Sequence, residues 1–358
     1  MNETFENLVA RVEPVDESVA HEARAYHDSL TKPAGSLGQL EDLGVQLCAI
    51  ARACPAPHPF PATIAVFAGD HGVVVEGVTA WPSEVTAQMV ANFCQGGAAV
   101  NVIARQMNAE VVIVDVGVAT PIPGDLGALQ RRNVALGTKN LAREAAMTRA
   151  QALAALEVGA RVAREAVDGG ARLLATGDMG IGNTTPSAAL IAALTNSSPS
   201  NVTGRGTGID DATLALKTSV VAQGLARLPL DADVYDVLAE VGGLEIAAIA
   251  GFIVAGAARR TPVIIDGVIS VAAALVACAL TPHVRGYLIA GHRSSEPGAS
   301  VALEFLGLEP LLDLTMRLGE GSGAALAIPL VQAAARVIAE MATFGAAGVT
   351  ERDDGASA

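Results

Sequence analysis

Three glycine-rich stretches carry the residue types that chemistry needs. Gly177-Asp178-Met179-Gly180-Ile181-Gly182-Asn183-Thr184-Thr185 follows an apolar run and precedes Pro186, a residue suited to a first helical turn. Its glycines let successive backbone N–H groups face an anion at a helix N-terminus. The spacing is neither GxxxxGKS/T nor GxGxxG, so neither an ATP loop nor a dinucleotide fingerprint is indicated. A tight strand-to-helix turn explains the spacing about as well. Thr203-Gly204-Arg205-Gly206-Thr207-Gly208 is a second such loop, or a flexible connection capped by Asp210. Lys217 follows it on a helix and is one of three lysines, with Lys32 and Lys139. It is either a cation that neutralises a bound phosphate or a surface lysine whose stem lies along apolar neighbours. In Leu318-Gly319-Glu320-Gly321-Ser322-Gly323 a carboxylate sits between glycines ahead of an apolar helix. A helix dipole favours that charge. Glycine on both sides suits something more, the close approach of backbone and ligand to a general base.

Other chemistries are poorly supported. Val111–Val116 ends in Asp115 followed by Val116, not by a second acid, and Ala119-Thr120-Pro121 is a poor phosphate loop. A diphosphate-sugar site that works through magnesium would need both features. The six histidines show no HxxxH or HExxH spacing, and the four cysteines form no CxxC pair, so no metal site is expected. The cysteines read as free thiols of a reducing cytoplasm. The acidic N-terminus, Met1-Asn2-Glu3, does not resemble a signal peptide.

The elements that must position these residues alternate. Apolar runs at Thr63–Ala68, Val111–Val116, Arg172–Ala175, Val263–Ile265 and Tyr287–Ala290 each end in glycine and polar residues. Such continuous runs predict strands buried on both faces, as in a parallel sheet. Between them lie helical segments: Glu84–Met107 interrupted at Gly96-Gly97, a helix opening at Thr148 and closing near Gly169-Gly170, Asp211–Leu225, Tyr235–Ala258 and Gly267–Ala279. The alternation predicts an α/β fold with a doubly wound, mainly parallel, Rossmann-like sheet, whose ligands bind beyond the carboxyl ends of the strands. Residues 1–60 and 303–344 read as helical, with a second capping box at Ser36 and Gln39. The expected division is a large catalytic domain over residues 36–317, a small helical domain from residues 1–35 and 318–349, and a disordered tail over 350–358.

Composition agrees with a large apolar core. The chain has 358 residues, 51% hydrophobic, 17% charged and only 3% aromatic. Its net charge of -14 argues against a nucleic-acid backbone or an anionic membrane as partner. The apolar runs at 246–258 and 267–280 are too short to cross a bilayer and predict buried helices.

The segments KPAGSLG (32–38), AGDHGV (68–73), EVTAQMVANF (84–93), GGAAVNV (96–102), GTKN (137–140), GDMGIGNTT (177–185), GRGTGID (204–210), EVGGLEIAAIAGF (240–252), GHRSSEPG (291–298) and LGEGSGA (318–324) occur in one order. Together they resemble the nicotinate-nucleotide–dimethylbenzimidazole phosphoribosyltransferases of cobalamin nucleotide-loop assembly. The resemblance implies a homodimer with a large parallel-sheet domain and a small helical domain from both termini, and its reaction, with a cationic leaving group, needs no metal and no cofactor. It implies transfer of phosphoribose from nicotinate mononucleotide to 5,6-dimethylbenzimidazole. Glu320 matches the family's catalytic glutamate. Asp178 stands where the family usually has glutamate and is a second catalytic candidate. Gly180, Gly182, Asn183, Thr184, Lys217 and Ser294 are the implied phosphate-site residues, and Glu84, Gln88, Met89 and Leu318 the implied base pocket. Two alternatives remain: a transferase of the same fold with another acceptor base, and a non-catalytic nucleotide-binding module.

Overall fold

The computed structural model describes residues 4–122 and 126–350. Six strands form one sheet: β1 (Ala62–Gly69), β2 (Glu110–Gly117), β3 (Leu129–Arg131), β4 (Leu173–Met179), β5 (Val263–Ile265) and β6 (Leu288–Ala290). Their order is β3-β2-β1-β4-β5-β6, and every pairing is parallel. This is the doubly wound order, in which the winding direction reverses between β1 and β4.

Side-chain alternation along the strands feeds two cores. Ala65 and Phe67 of β1 join a cluster with Ile246, Ala247 and Phe252. Ile64, Val66 and Ala68 face the other way, onto Ala324, Ile328 and Val331. Full burial on both faces accounts for the unbroken apolar runs. Helices Leu244–Ala258 and Arg149–Asp168 cover the first face in backbone contact, since a Cβ on Gly159 would lie 1.7 Å from the Ala248 carbonyl oxygen. Helices Gln39–Ala51 and Ser322–Glu340 cover the second.

Several boundaries fall where the sequence puts them. Thr148 and Gln151 form a capping box on Arg149–Asp168. The expected break after Glu84–Cys94 separates it from Ala99–Gln106. Other expectations need correction. Tyr235–Ala258 is two helices, Val234–Val241 and Leu244–Ala258, because Gly242 and Gly243 are extended. The capping box at Ser36 and Gln39 does not form. Gly38 precedes the helix without a side-chain bond, and the Glu41 carboxylate accepts the Leu37 N–H instead. Strand β3, short and without β-branched residues, has no counterpart among the expected strands.

The two ends of the chain meet. Leu30 bridges Thr343, and the Phe344 N–H donates to the Ser29 carbonyl at 2.9 Å. By length and composition, Ser322–Glu340 is the one helix among the described residues able to cross a membrane. Here its apolar face packs on the sheet. The tail expected over 350–358 lies, from residue 351 onward, outside the described residues.

Candidate active site

Four strands deliver polar residues to one place. The chain leaves β1 through Asp70 and His71, β5 through Asp266 and β6 through His292, while β4 itself ends in Asp178 and Met179. Beside them lies a cavity of about 370 Å³, a size that encloses a small ligand. Of the residues singled out from sequence, Asp178, Gly180, Gly182, Asn183, Thr184, Lys217, Ser294, Met89, Leu318 and Glu320 line it. Glu84 and Gln88 do not: both are exposed, one position away from Val85 and Met89, which line it. A larger and more open groove of about 590 Å³ lies by the N-terminal helices, away from these carboxylates.

Glu320 occupies the turn before helix Ser322–Glu340 with φ of +65°. A non-glycine residue held in this left-handed region is strained, and such strain persists only where the surroundings enforce it. Gly177 of β4 supplies part of that enforcement. A Cβ there would lie 2.4 Å from the Glu320 carbonyl oxygen, so only glycine admits the turn. The Glu320 carboxylate is buried and accepts one hydrogen bond, from the Val100 N–H at 3.4 Å. Burial raises its pKa, the Val100 bond opposes this, and the negative charge of Asp266 adds to it. A carboxylate with spare lone pairs and raised proton affinity is suited to accept a proton.

Asp178 is buried beside it. One oxygen accepts the Asn183 side-chain N–H at 2.9 Å, and the other has no partner. Burial, reinforced by Asp266 and further by Glu245 and Glu320, holds its pKa well above the usual carboxylate range against the pull of Asn183. Both of its oxygens would lie 3.2 Å from a Cβ on Gly319, which places Asp178 against the Glu320 turn.

A buried cation also lines the cavity. Lys217 is 1% exposed, so the surface-lysine reading is ruled out. Its Nζ donates to Thr184 Oγ1 at 2.7 Å and to the Gly204 carbonyl at 3.0 Å, joining the two glycine-rich loops. Burial lowers its pKa to about 8, with the charge of Glu296 opposing. The second loop is also tied to the β6 side. Glu296 accepts the Gly206 N–H at 2.8 Å, and Arg317 donates to the Gly206 carbonyl at 2.9 Å.

Several site residues escape the sequence reading. Thr86 accepts the Ile181 N–H at 3.1 Å, tying helix Glu84–Cys94 to the loop after β4. Beneath that loop, His71 and Glu245 pair at 2.8 Å, both fully buried. Burial alone would lower the His71 pKa, but Glu245 and Asp70 outweigh it and leave it raised. Asp266 and Glu296 also escape it, although each follows or lies near a strand end, the one signal that marks them. Asp115 accepts the Val118 N–H and the Asn133 side-chain N–H, which hold the turn after β2.

A parallel sheet of this order, with two glycine-rich loops, a buried lysine and buried carboxylates gathered around one cavity at the strand ends, defines a Rossmann-like α/β protein. A phosphoribosyltransferase family profile matches residues 12–349. A nicotinate-nucleotide–dimethylbenzimidazole phosphoribosyltransferase of Salinispora tropica is 54% identical, covering 97% of this chain and all of its own. Its counterpart from Chloroflexus aggregans is 52% identical over 97% of this chain and 98% of its own. The crystal structure of CobT from Thermus thermophilus superposes with a TM-score of 0.91 at 48% identity, covering 94% of this chain and 100% of that one. The chain belongs to the nicotinate-nucleotide–dimethylbenzimidazole phosphoribosyltransferase family.

Proposed function

We propose that this enzyme transfers the 5-phosphoribosyl group of nicotinate mononucleotide to 5,6-dimethylbenzimidazole with Glu320 as general base. Family membership supports the reaction. One observation carries the assignment of the base: the Glu320 carboxyl group lines the cavity, is buried, and accepts a single weak hydrogen bond.

In the nucleotide, C1′ is bonded to a cationic pyridinium nitrogen. That bond breaks with its electron pair passing to the nitrogen, which becomes neutral. A benzimidazole nitrogen forms the new C1′–N bond on the opposite face, so the configuration changes from β to α. The other benzimidazole nitrogen loses its proton to Glu320. The products are α-ribazole 5′-phosphate and nicotinate. Asp178, packed against the Glu320 turn, orients the ribose. Gly180, Gly182, Asn183, Thr184, Lys217 and Ser294 hold the phosphate, Lys217 as its counter-charge. Met89 and Leu318 belong to the base pocket. Glu84 and Gln88 border it from the exposed face of their helix.

The exposed side chains of Val75, Trp81 and Leu216 are apolar surface suited to a second copy, and we take the enzyme to be a homodimer. The contacts between residues 29–31 and 342–344 support a helical unit built from residues 1–35 and 318–349. An acidic surface and free cysteines favour a cytoplasmic enzyme without nucleic-acid or membrane partners. The test is to mix protein, nicotinate mononucleotide and a panel of benzimidazoles, purines and phenols, and to follow nicotinate release. Release driven best by dimethylbenzimidazole supports the reading. Release driven best by another base makes the enzyme a transferase with a different acceptor, and no release with any base leaves a binding module.

A further inference from the structure

We infer that Asp266 is a positioning residue for Glu320, clamping the Glu320–Gly321 peptide from the end of β5. The inference rests on Glu320 acting as the base.

Asp266 Oδ2 accepts the Gly321 N–H at 3.2 Å, and Oδ1 accepts the Ala324 N–H at 2.8 Å. These are two of the donors that a helix start leaves without intrahelical partners. The helix has no side-chain cap of its own, and the carboxylate at the end of β5 takes that place. The Gly321 N–H belongs to the same peptide plane as the Glu320 carbonyl. That carbonyl oxygen is pressed against Gly177 of β4, where a Cβ would lie only 2.4 Å away. A planar peptide held at both ends fixes the direction in which the Glu320 side chain leaves the backbone. Glu320 would otherwise relax from its φ of +65°.

Asp266 is itself held. Its N–H donates to Thr176 Oγ1 at 3.2 Å, and that hydroxyl donates to Ser270 Oγ at 2.8 Å. On the far side the His292 ring lies 3.6 Å from Oδ1, beyond hydrogen-bond distance. Gly323 lets the helix start close on that ring, since a Cβ would lie 1.9 Å from His292 Cδ2. Thus β4, β5 and β6 each contribute one constraint on a single turn. An ordinary helix cap has no need of such a frame.

The test is a double-mutant cycle between Asp266→Asn and Glu320→Gln, read as kcat, nucleotide KM and melting temperature. Misplacing the base should lower kcat about 10- to 100-fold in Asp266→Asn, with nucleotide KM within about twofold of the parent. In the Glu320→Gln background the same change should cost less than about twofold more. A residue that serves only as a helix cap lowers the melting temperature in both backgrounds and leaves kcat unchanged, or lowers it by the same factor in each. Either result overturns the inference. Full turnover by Glu320→Gln removes the base assignment and this inference with it. Normal turnover by Asp266→Asn beside an inactive Glu320→Gln removes the inference alone. Should Asp266→Asn fail to fold, the near-isosteric Thr176→Val decides: a smaller kcat loss that again vanishes in Glu320→Gln supports the clamp, and unchanged kcat overturns it.

Discussion

Lys217 Nζ stands 2.7 Å from Thr184 Oγ1, so the cation is fixed at the first turn of the helix after β4. Helix N-terminus and ammonium group are thereby brought together from two distant stretches of sequence. Replacing the lysine by methionine keeps most of its volume. Lys217→Met should weaken nucleotide binding by about 1.5–3 kcal/mol, the range for a charge-assisted hydrogen bond. Calorimetric titration with nicotinate mononucleotide measures this, and an unchanged affinity would take Lys217 out of the phosphate site. Because burial holds its pKa at about 8, nucleotide KM should rise as pH climbs past that value. In Lys217→Met that rise should be absent.

Glu320→Gln preserves size and hydrogen-bonding capacity but cannot take a proton. Its kcat should fall about 10²–10⁴-fold, with nucleotide binding largely retained. A group serving only the helix dipole would instead cost about 0.3–1 kcal/mol of stability and leave turnover intact. The parent enzyme should lose kcat as pH falls through the Glu320 pKa, which burial places above its ordinary value of 4.5. In the variant that acid limb should disappear.

For Asp178 the sign of the stability effect follows from its raised pKa. The folded protein keeps this proton to higher pH than the unfolded chain does. Stability is therefore lost as pH rises from the ordinary value of 3.8 through the raised one. Asp178→Asn cannot ionise and retains an oxygen acceptor for Asn183. Its melting temperature should exceed the parent's at neutral and alkaline pH, and the two should converge in acid. Its kcat should fall. A variant that melts lower than the parent at every pH would contradict the account of the buried charge.

The leaving group carries a positive charge before it departs, so no diphosphate needs neutralising. Turnover should survive treatment with EDTA. Loss of activity with chelator and recovery with magnesium would restore the diphosphate-sugar mechanism.

The strands that frame the site are legible because burial on both faces writes an unbroken apolar run. β3 is not, since Leu129–Arg131 is a three-residue edge strand without β-branched residues. Glu320 stands out because glycines flank it, and Asp178 because it lies in a stretch that also holds Gly177, Gly180 and Gly182. Asp266 has only Gly267 beside it, and an acid after a short strand reads like any loop residue until the fold brings the start of helix Ser322–Glu340 onto it. Glu84 and Gln88 show a different limit. They share i,i+4 spacing with Val85 and Met89, and the spacing alone does not say which pair faces the cavity. Only the packing of Thr86 against the β4 loop settles the rotation of that helix.

The walls of the cavity differ in how freely they can change. At the Glu320 turn, main-chain atoms touch across the sheet, and any side chain larger than hydrogen at Gly177 would break the contact. Val85, Met89 and Leu318 also line the cavity, where no comparable backbone contact is described. An exchange there reshapes an apolar surface, with about 1–3 kcal/mol of discrimination per methyl-sized step. If these side chains meet the acceptor base, single exchanges among them shift base preference while the backbone-clamped Glu320 turn stays as it is.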